Sequence, residues 1–410
     1  MNAADSILRL KTVDRVRADQ RQWVADTREA AASGRPFAIC SSDEFEEIFS
    51  LFDVPVLVIN YWNFVIVSQG KAAHFSQVLE KAGYPGPHFL SLGLASSLEP
   101  EQAPWGGLPK PIILLGSTRS DYEMRMGELW ARALDCEFYP LDFNMQSAAS
   151  KPLPDDWWRR TETDWEAMVD PERLELRIAQ NYELIRHLEC RLGRSFDNRA
   201  FVRSAELENE QMRYWQRAHD LIAAAPRCPV SLRDQLAMYQ PMWKRGTEYG
   251  LEMFRLYFEE VQARVADGLA GYPVERKRLL YWSMLEDPPF HAWLRDRYGA
   301  VFVGNNYGPI PGFYIRQFDP AEPMRAMAGR HLFLFGQSPE LMIAEARAHR
   351  VDGIVMTAPN SDRHPTRFRQ AAVAAGIPLL EVPDTQLSDR NQALLTQFME
   401  SALATEPLLA

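Results

Sequence analysis

Residues 108–142 read LPKPIILLGSTRSDYEMRMGELWARALDCEFYPLD. Residues 112–115 have the character of a short buried strand, 122–134 favour helix, and 136–141 form a second apolar strand. Strand, helix and strand in that order predict a parallel pair with a crossover helix laid on the sheet. The turn at 116–121, GSTRSD, then falls at the carboxyl end of the first strand, where open α/β sheets bind ligands. Ser120 followed by Glu123 also fits a capping box, so a structural role for that serine stands beside any binding role.

Working outward, an apolar run at 54–59 (VPVLVI) reads as a strand covered on both faces. Ser42 is placed to cap a helix over 43–52 with Phe45, Ile48 and Phe52 on one face, and a second helix spans 71–82 before Gly83 and Pro85. The charged, helix-favouring 14–32 stretch precedes them. Residues 143–160 are rich in small residues and Pro and read as a crossing linker. Apolar stripes at Leu174, Ile178, Ile185, Leu188 and at Met253, Tyr257, Val261, Val265 mark helices of a packed helical region. Beyond it, candidate strands at 278–282, 300–303, 353–356 and 378–382 alternate with helices at 289–298, 339–349, 366–375 and 389–402. Ser338 before Pro339 is a good helix start. The expected fold class is α/β, with two doubly wound, Rossmann- or flavodoxin-like parallel-sheet domains joined by a helical domain. The expected boundaries are 1–35 (helical segment), 36–145, 146–274 and 275–410.

Lys and Arg number 45 against 55 Asp and Glu, and this net charge of −10 argues against a broad nucleic-acid-binding surface. The first twenty residues lack an apolar core of signal-peptide length, and no run of about 18 apolar residues occurs, so a cytoplasmic chain without membrane spans is expected. Cys40, Cys136, Cys190 and Cys228 form no CxxC pair, and no His lies near them at zinc-ligand spacing. Cys136 and Cys190 read as packed thiols, and no metal site is read in the chain.

Strand-end loops supply the candidate ligand groups. Ser117 and Ser120 follow the first quoted strand, Asn305, Asn306 and Tyr307 follow 300–303, and residues 357–365 and 383–385 follow the last two strands. Arg363, His364, Arg367 and Arg369 make a basic cluster beside a helix N-terminus, a setting that favours anions.

Several stretches in order (EFEEIFSLFDVPVL, AGYPGPHFLSLGL, LPKPIILLGSTRSD, RCPVSLRDQLAMYQ, VDGIVMTAPNSDRH and AGIPLLEVPDTQLSDR) resemble the 2-hydroxyacyl-CoA dehydratase and benzoyl-CoA reductase family over residues 20–402. The resemblance implies a subunit of an oxygen-sensitive, radical-type enzyme acting on an acyl-CoA. Partners would be a paralogous subunit and an ATP-dependent electron-activating protein. Family members hold a [4Fe–4S] cluster through three cysteines, and those positions fall here near Leu90, Ser120 and Asp362. Leucine has no donor atom, and the other two offer hard oxygen to a soft site. The resemblance therefore implies a cluster-free subunit, with the [4Fe–4S] group expected in the partner. Ser117, Ser120, Asn305, Asn306, Tyr307, Arg363 and Arg367 are the expected acyl-CoA-binding residues, the arginines for CoA phosphates. Glu46 and Glu47 match a region that offers a carboxylate in the family's second subunit; without a cluster they are expected to be solvated helix residues. Two other roles fit the same residues: a non-catalytic acyl-CoA-binding or scaffolding paralogue, or a redox-free CoA-ester enzyme that has reused the cavity.

Overall fold

The computed structural model describes residues 9–40, 45–84, 91–117, 121–141, 153–283, 288–333, 338–357, 365–384 and 386–408. The first described elements are helix α1 (Lys11–Ala32) and strand β1 (Ala38–Cys40). Helix α2 (Glu46–Leu51), strand β2 (Val56–Val58) and helices α3 (Ile59–Ser68), α4 (Ala72–Lys81) and α5 (Leu92–Leu98) follow. Strand β3 (Ile113–Ser117), helix α6 (Asp121–Leu134) and strand β4 (Glu137–Leu141) complete the first sheet, in the order β2-β1-β3-β4. All its pairings are parallel, including Ile113 opposite Glu137 and Ser117 opposite Leu141. The quoted 108–142 stretch is thus the expected strand–helix–strand unit. Pro140, which cannot donate to a ladder, sits on the edge strand β4.

A helical stretch comes next: α7 (Trp157–Arg160), α8 (Pro171–Leu192), α9 (Asn198–Ala224), α10 (Leu232–Ala237) and α11 (Glu248–Ala266). The second sheet is built from β5 (Lys277–Trp282), β6 (Ala300–Asn305), β7 (Gly353–Thr357) and β8 (Leu379–Val382), again parallel, in the order β6-β5-β7-β8. Helices α12 (Pro288–Tyr298), α13 (Pro311–Tyr314), α14 (Pro323–Phe333), α15 (Pro339–Ala348), α16 (Pro365–Ala375) and α17 (Asp389–Gln397) alternate with these strands. The 54–59 run is strand only over β2, and the chain turns helical at Ile59. Among the described residues no helix is long and apolar enough to cross a membrane.

Alternation along the strands explains the two-sided burial. Ala38, Cys40, Val56, Val58, Ile113 and Leu115 point into one core, which also receives Leu280, Trp282, Val301, Val303, Ile354 and Met356 from the second sheet. The intervening Ile39, Leu57 and Leu114 face a separate cluster behind the first sheet. Leu279, Tyr281, Phe302 and Val355 do the same behind the second. Period-two side-chain direction therefore gives each sheet an inner face toward the helices and an outer face under its own cover. Strand order reverses between β1 and β3 and between β5 and β7, so the carboxyl ends of those pairs are the topological switch points. At the second, the Thr357 hydroxyl donates to Ser283 Oγ at 2.7 Å.

Candidate functional site

Helix α2 begins just beyond the carboxyl end of β1, and its first turn carries Glu46 and Glu47. Both are buried, at 0% and 2% exposure, so the expectation of solvated carboxylates is corrected. The reason is a set of guanidiniums brought in from distant helices. Arg245, between α10 and α11, donates from Nε to Glu47 Oε1 at 2.6 Å and from Nη2 to Glu47 Oε2 at 3.0 Å, a two-pronged contact. The same Nη2 reaches Glu46 Oε2 at 2.8 Å. Arg330 of α14 pairs with Glu47 at 2.7 Å and also with Glu208 of α9. Beneath them lies the Tyr314 ring, with the Arg245 and Arg330 guanidinium carbons 4.9 and 5.2 Å from its centroid. Gly246 holds a positive φ of 68°, and a Cβ there would come within 2.1 Å of Ser204 Oγ and 3.3 Å of Glu47 Cγ. Only glycine lets the backbone behind Arg245 approach so closely.

Buried ion pairs are weak evidence for stability, because removing charges from water costs about as much as their attraction returns. What they do is fix geometry and perturb protonation. Burial by itself raises the Glu47 carboxyl; Arg245, then Arg330, outweigh it and hold the group below the usual carboxylate range. Burial pushes the Glu208 carboxyl up to about 7, with Arg330 opposing and the neighbouring Glu47 charge reinforcing. Arg316 is fully buried and burial, then the like charge of Arg330, lowers it to about 9. Its backbone is held by Asn209, whose side chain accepts from the Arg316 N–H at 2.9 Å and donates to its carbonyl at 2.7 Å. Glu47, Glu208, Asn209, Tyr314, Arg316 and Arg330 supply the polar wall of a small recess of about 20 Å³, partly open to solvent. Phe201, Phe318 and Met327 line its apolar side. A carboxyl that titrates near neutrality beside buried guanidiniums can exchange a proton with, or orient, a small anionic group.

Among the described residues, those expected from the sequence do not line this recess. Asn305 ends β6; its Nδ2 donates to Gln235 Oε1 at 3.2 Å and its Oδ1 accepts from the Tyr307 N–H at 2.8 Å. Asn306 and Tyr307 are buried too. The Tyr307 ring meets Tyr239 at 4.9 Å, which meets Tyr61 of α3 at 5.4 Å, so a tyrosine chain joins the two sheets' strand-end regions. None of these three residues lines the recess. Ser117 ends β3, while Ser120 and Arg363 fall outside the described residues, as do Leu90 and Asp362. Arg367 is exposed on α16. Arg369, read as part of the basic cluster, is exposed and already donates to Glu381 at 3.0 Å. The recess residues Glu208, Tyr314, Arg316 and Arg330 were not anticipated; the one signal for them was the acidic pair set among Phe45, Ile48 and Phe49.

The cysteines do not assemble a thiolate site. Cys40 and Cys228 are buried, Cys136 is half-buried and Cys190 is exposed, so the expectation that Cys190 is packed is corrected: it points off the outer side of α8. Burial pushes the Cys136 thiol up to about 11 and Cys228 to about 12, the opposite of what a metal-ligating thiolate needs. Among the described residues no three cysteines converge, and the donor set does not fit an iron–sulfur cluster.

Two like-ordered parallel sheets, facing one another across helices with charged and polar groups gathered at their strand ends, define a two-unit α/β protein of the ligand-binding, doubly wound type. The profile of the family described as "2-hydroxyglutaryl-CoA dehydratase, D-component" matches residues 46–399, and the chain belongs to that family. It is thus a dehydratase-type subunit of a two-component enzyme. No curated protein matches it significantly.

Proposed function

We propose that this chain is the cluster-free subunit of a heteromeric 2-hydroxyacyl-CoA dehydratase or benzoyl-CoA-reductase-type enzyme, shaping the acyl-CoA site beside a [4Fe–4S]-bearing partner subunit. The observation that carries this reading is the family match over 46–399 in a chain with Leu90, Ser120 and Asp362 where the resemblance puts cysteines. The four thiols it does have are scattered. Low-potential electrons are beyond the reach of side chains, so redox chemistry in the complex belongs to the partner. This chain's share is to bind and orient. The Asn305–Tyr307 turn sits at a strand end facing the first sheet, and Arg363 and Arg367 offer phosphate contacts. Each charge-assisted hydrogen bond of that kind contributes roughly 1.5–3 kcal/mol.

The test is anaerobic. Produced alone and reconstituted with iron and sulfide, the chain should hold no acid-labile sulfide, while a complex with a three-cysteine paralogue should carry a cluster assignable to the partner. A sulfide-containing cluster on the isolated chain, lost in Cys40→Ser, would overturn the reading. In the assembled complex, Arg363→Ala with Arg367→Ala should weaken acyl-CoA binding by calorimetry; unchanged affinity would remove those arginines from the site.

A further inference from the structure

Away from the recess, His219 of α9 and Glu345 of α15 meet with Nε2 and Oε2 2.8 Å apart. One turn further along α15, His349 places Nε2 3.6 Å from the same oxygen. The i,i+4 spacing of Glu345 and His349 puts both on one helix face, and α9 brings His219 opposite. Their side chains are 6%, 10% and 0% exposed, and one donor atom from each lies within 4.8 Å of the others.

A hydrogen-bonded trio without metal is the simpler account, and it leaves a defect. Neither ring nitrogen of the fully buried His349 has a hydrogen-bond partner among the described residues, so with the proton on Nδ1 the Nε2 lone pair beside Glu345 meets no donor. The contact at 3.6 Å is beyond hydrogen-bonding reach. The 304–308 turn closes over the trio with glycine at both ends. A Cβ at Gly304 would stand 2.8 Å from His349 Nε2, and one at Gly308 would stand 2.7 Å from His219 Nδ1. Glycine at both positions therefore lets the backbone of the turn pack against the two imidazole rings more closely than a side chain would allow.

We propose that His219, Glu345 and His349 bind one zinc-class divalent cation, which ties α15 to α9 beneath the turn carrying Asn305, Asn306 and Tyr307. Zinc bonds to imidazole nitrogen and carboxylate oxygen run about 2.0–2.2 Å, which sets donors about 3.3 Å apart in a tetrahedron. The observed 2.8 and 3.6 Å contacts bracket that spacing, and the two imidazole donors, within 4.8 Å of each other, would draw together around the ion. Two imidazoles and a carboxylate are the borderline donors that zinc and its first-row neighbours accept, and with three protein ligands the fourth position of the ion falls to a water. The site contains no sulfur, so it is chemically separate from any iron–sulfur chemistry of the complex.

The experiment uses the full chain loaded with Zn²⁺ and, separately, Co²⁺. Wild type should retain about one zinc per chain after desalting. X-ray absorption should show a nitrogen and oxygen shell near about 2.0–2.2 Å without sulfur near about 2.3 Å. Cobalt should give visible d–d bands without thiolate charge transfer. Glu345→Gln keeps the size and the contact to His219 and should stay folded by circular dichroism, but lose the bound metal, as should His349→Ala. Metal retention by Glu345→Gln equal to wild type, a sulfur shell, or a wild-type chain that keeps no metal and shows no cobalt bands would each overturn the proposal.

Discussion

The two sheets share one strand order, yet they are secured by different physics. In the first unit the helices α2, α3, α4 and α5 start without a side-chain cap. They are held by burial, α3 to the point that Tyr61, Trp62 and Asn63 are all inside, and by the ion network that pins α2. In the second unit α15 and α17 begin on serine caps, and the strand-end turn is tied by neutral hydrogen bonds from Asn305. Identical topology thus leaves open whether charge or local capping sets the strand-end loops. That choice shapes what gathers at each strand end: buried carboxylates of α2 with guanidiniums brought in from other helices at the first, and the amide of Asn305 near the His219–Glu345–His349 trio at the second.

Cutting the network should produce the largest effect. Arg245→Met leaves Glu46 and Glu47 buried without their main counterion, and loss of one member of such a set costs about 3–5 kcal/mol. Urea unfolding of the variant measures it. Adding Glu46→Gln and Glu47→Gln should recover much of the loss, since a neutral interior of similar volume carries no such penalty. A single variant within about 1 kcal/mol of wild type would place the first unit's stability in packing alone.

Protonation sharpens the same contrast. Burial raises the Glu208 carboxyl to about 7 in the fold, well above an ordinary glutamate. Its contribution is therefore present below the unfolded value and lost as pH rises through about 7. Glu208→Gln mimics the protonated group, so it should gain on wild type between pH 5 and pH 8, by on the order of 2 kcal/mol. Unfolding at both pH values tests this. A variant that instead falls behind as pH rises would mean that ionised Glu208 is Arg330's working partner. In the second unit the matching change is uncharged. Asn305→Ala strands the Tyr307 N–H and Gln235 Oε1 in the interior and should cost about 1–3 kcal/mol, with little dependence on salt. A strong salt dependence there would break the contrast.

How far the chain could be read in advance follows the same division. The second unit announced itself, because its strands of four to six residues carry apolar runs between helix-length segments and Ser338-Pro339 is a local signal for the start of α15. In the first unit, β1 is three residues, Ala38–Cys40, too short to show any period, and its partner β2 gives way at once to a helix made of INYWNFVIVS. A short apolar run does not say which of those it is until tertiary contacts decide. The 108–142 unit was read correctly because its helix is amphipathic and its strands are not. The recess was missed for a different reason. A helical glutamate is ordinarily solvated, and the arginine that buries Glu47 lies 198 residues further along the chain. No spacing rule spans that distance.

Local capping gives the smallest effect and the cleanest separation of the two units. Ser338 Oγ accepts from the Leu341 N–H and Ser388 Oγ from the Asn391 N–H, both at 3.2 Å. Each satisfies one of the amide groups that a helix start leaves unpaired. Removing the hydroxyl frees that amide without opening a cavity of any size, so Ser338→Ala and Ser388→Ala should each cost about 0.5–2 kcal/mol. The two sites lie on different helices and share no partner, so the double variant should lose the sum of the two. Chemical denaturation read alongside hydrogen exchange gives both the size and the place of the loss. Protection should fall first in α15 and α17, while α3, which has no such cap to lose, keeps its own. A loss no larger than a few tenths of a kcal/mol at both serines would show that the second unit, like the first, is held by burial, and the difference between the two sheets would then rest on the ion network alone.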